Sequence, residues 1–135
     1  MSESNQGSCP QAGEFGWNEL VSSDTAASAE FYAQLFGWRA EPHSPKGHPL
    51  GSPPYTLFKI GDNMIAGMVK PSIDSPTFWL PYVVVENLEE SVAKAQQLNA
   101  EMILPIMDIG EVGRIAVVKD PRGAVIGFHE FPKSK

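Results

Sequence analysis

Hydrophobic and polar residues alternate along the chain with two periods, one typical of strands and the other typical of helices. Near the start, Trp17 and Glu19 share one face of an alternating segment, which predicts a strand with an aromatic side. Residues 25–36 then carry apolar side chains at helical spacing. Asp24 before this stretch and Gly37 after it are typical residues for the start and the end of a helix, and residues 38–41 are predicted to be extended again.

The middle of the chain predicts a long loop and then a hairpin. Five prolines lie within residues 41–54, and proline cannot donate the backbone hydrogen bonds that helices and interior strands need. We therefore expect a loop over 41–54. Strands are predicted at 55–60 and 64–70, because the Gly-Asp-Asn turn between them can supply positive φ angles.

The second half of the chain repeats the pattern of the first half. A strand is predicted at 79–85, and Asn87 begins a helix that ends before Asn99, the residue type most tolerant of the left-handed conformation after glycine. Three further strands are expected at 101–109, 113–119 and 124–131. The sequence thus predicts an α+β fold of two tandem βαβββ modules, about 13–70 and 78–132, in one domain of residues 13–132 that follows a flexible tail of residues 1–12.

Composition and charge exclude several classes of protein. The chain has 10 Lys and Arg against 16 Asp and Glu, and this net charge of −6 repels nucleic acid. A single cysteine excludes an internal disulfide, which suits a reducing compartment. No apolar run is long enough to span a membrane, and the first residues do not have the pattern of an export signal. We therefore expect a cytoplasmic protein that binds neither nucleic acid nor membrane.

Three motifs resemble the vicinal oxygen chelate superfamily, which includes glyoxalases, bleomycin resistance proteins and extradiol dioxygenases. They are FYAQLFGW at 31–38, WLPYVVV at 79–85 and DPRGAVIG at 120–127. The resemblance covers about residues 13–132. It implies that the curved mixed sheets of the two modules form a cleft. The motifs are specific for the fold but not for a reaction, since this fold supports lyases, isomerases, dioxygenases and drug-sequestering proteins.

The resemblance also implies where a metal would be bound, one ligand on each of four strands. These positions fall on residues without a suitable donor atom in the side chain: Trp17, Gly67, Leu80 and Gly127. We therefore expect no metal cofactor. The alternative is a divalent metal held by relocated ligands.

Strand parity, anchored on those four positions, predicts which side chains line the cleft. We expect the ligand-binding residues to be Trp17, Tyr82, Leu80, Gly67 and Gly127. The two glycines are expected to widen the cleft and to let a flat ligand approach the backbone, because they carry no side chain. Glu19 and His129 are the polar residues expected beside them.

Glu19 and His129 have three interpretations. They can form a catalytic acid–base pair, in which burial raises the pKa of Glu19 toward neutrality. They can instead be structural, with Glu19 bonded to a backbone amide or to Tyr82 and His129 half-exposed on its strand. In the third interpretation they are the relocated ligands of a metal.

The sequence thus favours a glyoxalase-like protein that binds a small planar or aromatic molecule in a hydrophobic cleft without metal. The alternatives are a metal-dependent lyase, isomerase or dioxygenase with relocated ligands, and a drug-sequestering protein of the resistance type. These classes differ in metal content and in turnover. We also expect a homodimer.

Overall fold

The computed structural model describes residues 10–42, 51–71 and 74–132. Residues 1–9 of the predicted tail and 43–50 of the predicted loop therefore lie outside the described residues. The chain divides into two compact units. The first unit is Trp17–Leu80, and the second combines the residues before Trp17 with those from Pro81 onward.

The first unit contains one helix and a four-stranded mixed sheet. Its elements are β1 (Phe15–Val21, which starts in the second unit), α1 (Thr25–Phe36), β2 (Arg39–Pro42), β3 (Gly51–Ile60) and β4 (Asn63–Pro71). The strand order is β2-β3-β4-β1. The β1 and β4 strands are parallel, whereas β2 and β4 each pair antiparallel with β3. The predicted hairpin of β3 and β4 is confirmed.

Helix α1 begins and ends at the residues that the sequence predicts. The Asp24 carboxylate accepts a hydrogen bond of 3.0 Å from the Ala27 amide. Gly37 has a φ of 78° and donates its amide to the Ala33 carbonyl. The helix packs on a core of four buried residues from β1, β3 and β4, namely Leu20, Phe58, Ala66 and Met68. The partly buried Ala29, Tyr32 and Trp38 pack against this core.

The second unit repeats this arrangement. Its elements are β5 (Phe78–Val84, which starts at the end of the first unit), α2 (Leu88–Gln97), β6 (Glu101–Asp108), β7 (Arg114–Lys119) and β8 (Val125–Glu130). The strand order is β5-β8-β7-β6, with β5 and β8 parallel and the other pairs antiparallel. The prediction of an α+β fold built from two βαβββ modules is confirmed. Neither helix in the described ranges has the length and apolar character needed to cross a membrane.

Two side chains bind the free amides at the start of α2. Asn87 accepts from the Glu90 amide at 3.0 Å, as its cap position predicts, and Glu130 of β8 accepts from the Leu88 amide at 3.0 Å. Glu130 is 5% exposed and also accepts from Arg114 of β7 at 2.9 Å. The Arg114 guanidinium binds both oxygens of Glu89 as well, and these bonds to Glu89 and Glu130 raise its pKa further above the usual value. One buried carboxylate thus links β8, α2 and β7.

Strand β3 starts earlier than the sequence predicts, so the expectation of a loop up to residue 54 is wrong at its end. In the pairing of β3 with β4, Ser52 lies opposite Lys70 and Thr56 lies opposite Met68. The register shifts between these two pairs. The two prolines at 53–54 lie within this irregularity. A bulge tolerates proline because the ladder does not require a backbone donor there.

The two helix ends provide a first prediction. We expect Gly37→Ala to lower the free energy of unfolding by about 1 kcal/mol, because an alanine at positive φ is strained and the added methyl group would make no compensating contact. Asn99 has a φ of 75°, and among the described residues it is the one non-glycine residue with positive φ. Asn99→Gly should therefore cost nothing. Urea denaturation followed by circular dichroism measures both, and an equal loss in the two variants would contradict the prediction.

Candidate functional site

The first unit has a second sheet face, opposite the one that packs on α1. In the pairing of β1 with β4, Glu19 lies opposite Gly67, and in the pairing of β3 with β4, Leu57 lies opposite Gly67. Alternation along the strands places these residues on the face away from Leu20 and Phe58, which belong to the core beneath α1. Trp17 and Tyr55 lie two residues from Glu19 and Leu57, so they belong to the same face.

Trp17, Glu19 and Tyr55 form a hydrogen-bonded cluster on this face. The Trp17 indole Nε1 donates to the Tyr55 hydroxyl at 3.0 Å. The same hydroxyl is hydrogen-bonded to the Glu19 carboxylate. Glu19 is 1% exposed, whereas Trp17 and Tyr55 are half-buried. The cluster thus joins two aromatic rings to a buried acid.

The direction of these hydrogen bonds follows from the chemistry of the groups. An indole N–H can only donate, so the Tyr55 oxygen is the acceptor from Trp17 and its own proton is left for Glu19. Burial raises the pKa of Tyr55 above its usual value, the negative charge of Glu19 raises it further, and the donation from Trp17 opposes both effects. Tyr55 therefore keeps its proton at neutral pH. The chain of donation runs from Trp17 through Tyr55 to Glu19.

The two glycines expected to open the cleft are covered by tyrosine rings. A Cβ atom added at Gly67 would overlap the hydroxyl end of Tyr55, and one added at Gly127 would overlap the Tyr82 ring. The expectation that these glycines provide empty space is therefore wrong. Each glycine instead leaves room for an aromatic ring to lie against the backbone of its strand.

The second unit holds the other predicted site residues except Leu80, which is fully buried at the end of the first unit. Tyr82 is 2% exposed and lies opposite Gly127 in the parallel pairing of β5 with β8. The His129 Nε2 atom is 2.6 Å from the Val112 carbonyl oxygen, and since a carbonyl only accepts, Nε2 carries the proton of this bond. Nδ1 is thus the nitrogen that remains as an acceptor in neutral His129.

Glu19 and His129, expected as a pair, belong to different units, and the contacts described above for each lie within its own unit. Glu19 is hydrogen-bonded to Tyr55, and the expectation that it also bonds to Tyr82 or to a backbone amide stays a prediction.

A metal does not fit the residues described. Over 10–42, 51–71 and 74–132 there is no group of three or more His, Cys, Asp or Glu side chains placed to hold one. The four positions at which the resemblance places metal ligands carry indole, isobutyl or no side chain, and none of these donates an electron pair to a divalent ion. We therefore derive no chemistry through a metal.

Tyr55 is the site residue that the sequence analysis missed. The alternation of side chains along β3 could have identified it, because Tyr55 is two residues from Leu57, and Leu57 lies opposite Gly67. That signal depends on the register between β3 and β4, which hydrophobic alternation alone does not determine.

The comparisons with known proteins agree with this fold. The sequence matches the Glyoxalase/Bleomycin resistance protein/Dioxygenase superfamily over residues 14–128. The chain belongs to this family. It is 32% identical over 123 residues to the anthracycline biosynthesis protein DnrV of Streptomyces peucetius, a match that covers 80% of this chain and 43% of DnrV. It is 28% identical over 116 residues to "Putative glyoxylase CFP32" of Mycobacterium tuberculosis, which covers 83% of this chain and 43% of CFP32.

Solved structures share the fold at low sequence identity. Methylmalonyl-CoA epimerase from Mycobacterium tuberculosis superposes with a TM-score of 0.63 at 11% identity, over 95% of each chain. Homoprotocatechuate 2,3-dioxygenase from Brevibacterium fuscum superposes with a TM-score of 0.61 at 16% identity, over 93% of this chain and 38% of the dioxygenase. The chain thus spans less than half the length of its curated relatives and of this dioxygenase.

Proposed function

We propose that this protein binds a small planar or aromatic molecule at the cluster of Trp17, Tyr55 and Glu19, and that it does so without a metal. The observation that carries the proposal is the cluster itself, in which the half-buried Trp17 donates to the half-buried Tyr55 and Tyr55 donates to the buried Glu19 carboxylate. Aromatic side chains offer flat apolar surface, and one polar group among them fixes the orientation of a ligand.

The direction of donation suggests which ligands the cluster prefers. Tyr55 donates to Glu19, so Glu19 is held as an acceptor rather than as a donor. A ligand that carries an O–H or N–H group can bind to such an acceptor, whereas a carboxylate ligand is repelled by its charge. We therefore propose that neutral aromatic molecules with a hydroxyl or amine donor are preferred. The name of DnrV places that relative in the biosynthesis of anthracyclines, which are polycyclic aromatic molecules, and this supports the same class.

If the protein is an enzyme, Glu19 is the residue we propose as its base. A carboxylate that accepts hydrogen bonds in a buried site can take a proton from a bound ligand. His129 is proposed as a second proton-transfer group through Nδ1, since Nε2 is engaged with the Val112 carbonyl. Lyase or isomerase chemistry would need such proton transfer, whereas sequestration of a ligand would need only the cluster.

The proposal is tested by calorimetric titration with naphthol and with naphthoate, which present a donor and an anion on the same ring system. We expect naphthol to bind more tightly, and we expect Glu19→Gln to weaken its binding by about tenfold or more, as the loss of a charge-assisted hydrogen bond implies. Tyr55→Phe should also weaken the binding of naphthol, because it removes the hydrogen bond that Tyr55 donates to Glu19.

A matched control exists within the same unit. Tyr32 accepts from the Trp79 indole at 3.1 Å, in a tryptophan–tyrosine hydrogen bond outside the cluster. Tyr32→Phe should leave the affinity for naphthol unchanged. Tighter binding of naphthoate, or an equal loss in Tyr32→Phe, would contradict the proposed site. Near-stoichiometric metal in the purified protein would contradict the metal-free proposal and would favour the alternative of relocated ligands.

A further inference from the structure

The connection between β6 and β7 is a tight turn that contacts His129 on β8. It contains one turn of 3-10 helix, Gly110–Val112. The Val112 carbonyl of this turn accepts the 2.6 Å hydrogen bond from His129 Nε2. The Phe131 ring lies beside the imidazole, with 4.6 Å between the ring centroids. The His129 ring is thus held by two contacts, a carbonyl at Nε2 and an aromatic ring at its side.

The turn can lie against β8 because residue 113 is a glycine. Gly113 has a φ of 114°, and a Cβ atom added there would overlap the Glu130 carbonyl oxygen. Glycine is the residue that allows both this conformation and this close approach to a backbone. Strand β7 then begins with Arg114 opposite Glu130. The turn therefore packs on the part of β8 that carries His129.

Hydrogen bonds within the turn, rather than burial, orient the Val112 carbonyl. Val112 is 55% exposed, so its side chain does not anchor it in a core. Asp108, the last residue of β6, accepts from the Gly110 amide at 2.8 Å through its carboxylate. The Gly113 carbonyl accepts from Ile109 at 2.9 Å, and the Gly113 amide donates to the Gly110 carbonyl at 3.1 Å. Of these three bonds, the one from Gly110 to Asp108 is the one made by a side chain.

We propose that Asp108 is a positioning residue, which through this turn keeps the proton of neutral His129 on Nε2 and leaves Nδ1 as the acceptor. A side chain that binds the first amide of a turn fixes the direction of the carbonyls that follow. A carbonyl only accepts, so it selects the tautomer whose proton faces it. The tautomer does not depend on a ligand, whereas the use of Nδ1 in proton transfer rests on the proposed function.

Nuclear magnetic resonance of the full chain, labelled with nitrogen-15, tests this proposal at mildly alkaline pH, where histidine rings are neutral. Long-range correlations between ring protons and ring nitrogens identify the nitrogen that carries the proton. His129→Gln identifies the signals of His129 among those of the three histidines. We expect the wild type to carry the proton on Nε2 and to exchange it slowly with water. A wild-type His129 with its proton on Nδ1 overturns the proposal without any variant.

Two substitutions of Asp108 isolate the contribution of its acceptor oxygen. Asp108→Ala should raise the exchange rate of the His129 Nε2 proton by about tenfold or more, because the turn no longer holds the Val112 carbonyl in place. Asp108→Asn should restore slow exchange, since the amide oxygen of asparagine can accept the same bond from Gly110. Asp108 is exposed, so we expect both variants to fold.

Asp120→Ala is the matched control. Asp120 accepts from the Arg122 and Ala124 amides at 2.9 Å each, in the turn between β7 and β8 of the same unit. This variant should leave the exchange of the His129 proton unchanged. An equal effect of Asp120→Ala and Asp108→Ala overturns the proposal, as does a failure of Asp108→Asn to restore slow exchange. Naphthol takes no part in these measurements, so a failure here is distinct from a failure of the proposed binding site.

Discussion

Gly127→Ala is expected to lower the free energy of unfolding by roughly 3 kcal/mol, the upper part of the range for overpacked cores. The added methyl group would overlap one edge of the Tyr82 ring, at Cδ2, Cε2 and Cγ, and Tyr82 is 2% exposed. A buried ring cannot move aside without a change of rotamer or of backbone. Urea denaturation followed by circular dichroism measures the loss.

The control removes the ring that causes the overlap. Tyr82→Ala alone is expected to be strongly destabilising because it leaves a cavity. Adding Gly127→Ala to Tyr82→Ala should cost no further stability, since the methyl group then enters empty space. A loss below about 0.5 kcal/mol for Gly127→Ala by itself, the range of ordinary surface substitutions, would contradict the prediction.

Gly67→Ala should behave differently from Gly127→Ala. The methyl group at 67 would meet the hydroxyl end of Tyr55, and the end of a half-buried ring can swing aside. We therefore expect a smaller loss of stability but a loss of naphthol binding, because the bonds of Tyr55 to Trp17 and Glu19 cannot persist in the displaced position.

Glu130→Ala is expected to lower the free energy of unfolding by about 3 kcal/mol. The substitution removes an acceptor from the Leu88 amide and from Arg114, and it leaves that amide buried without this bond. Removing a buried acceptor costs more than its hydrogen bonds contribute, because the Leu88 amide is left desolvated and Arg114 loses one of its carboxylate partners.

Glu89→Gln is the control for Glu130→Ala. Glu89 binds the same guanidinium, but its side chain is 61% exposed, so we expect a loss of less than about 1 kcal/mol. Thermal or urea denaturation of the two variants side by side checks the contrast. Equal losses would show that burial of the carboxylate does not determine the effect.

Local signals in the sequence predicted the framework of the fold well. Asp24 and Asn87 were identified as caps from their residue type and position alone, and both bind the amides that such caps bind. Asn99 was predicted to take the left-handed conformation, and it does. These features depend on a few neighbouring residues, so a single sequence contains the information.

Features that depend on pairing between strands were predicted less well. Pro53 and Pro54 were predicted to lie in a loop before β3, whereas the strand already starts at Gly51 and includes them through a shift of register. The space above Gly67 and Gly127 was predicted to be empty, whereas tyrosine rings fill it. In each case the outcome depends on which residues lie opposite one another, and hydrophobic alternation leaves that open.

For the candidate site too, local features were predicted better than features that depend on strand pairing. Alternation along β1 placed Trp17 and Glu19 on one face, as the structure has them, and Glu19 is buried there. Tyr55 was not predicted as a site residue, because it lies on β3, far in sequence from Trp17 and Glu19 on β1. The pairing of Glu19 with His129 stays a prediction, since each residue has partners in its own unit.

The position of the tryptophans has a spectroscopic consequence. All three, Trp17, Trp38 and Trp79, lie in the first unit, Trp17–Leu80. Indole emission during denaturation therefore reports on the first unit alone, while the far-ultraviolet circular dichroism of the whole chain reports on both. Coincident midpoints from the two signals would mean that the modules unfold as one cooperative system, and separate midpoints would give the stability of each module without cutting the chain.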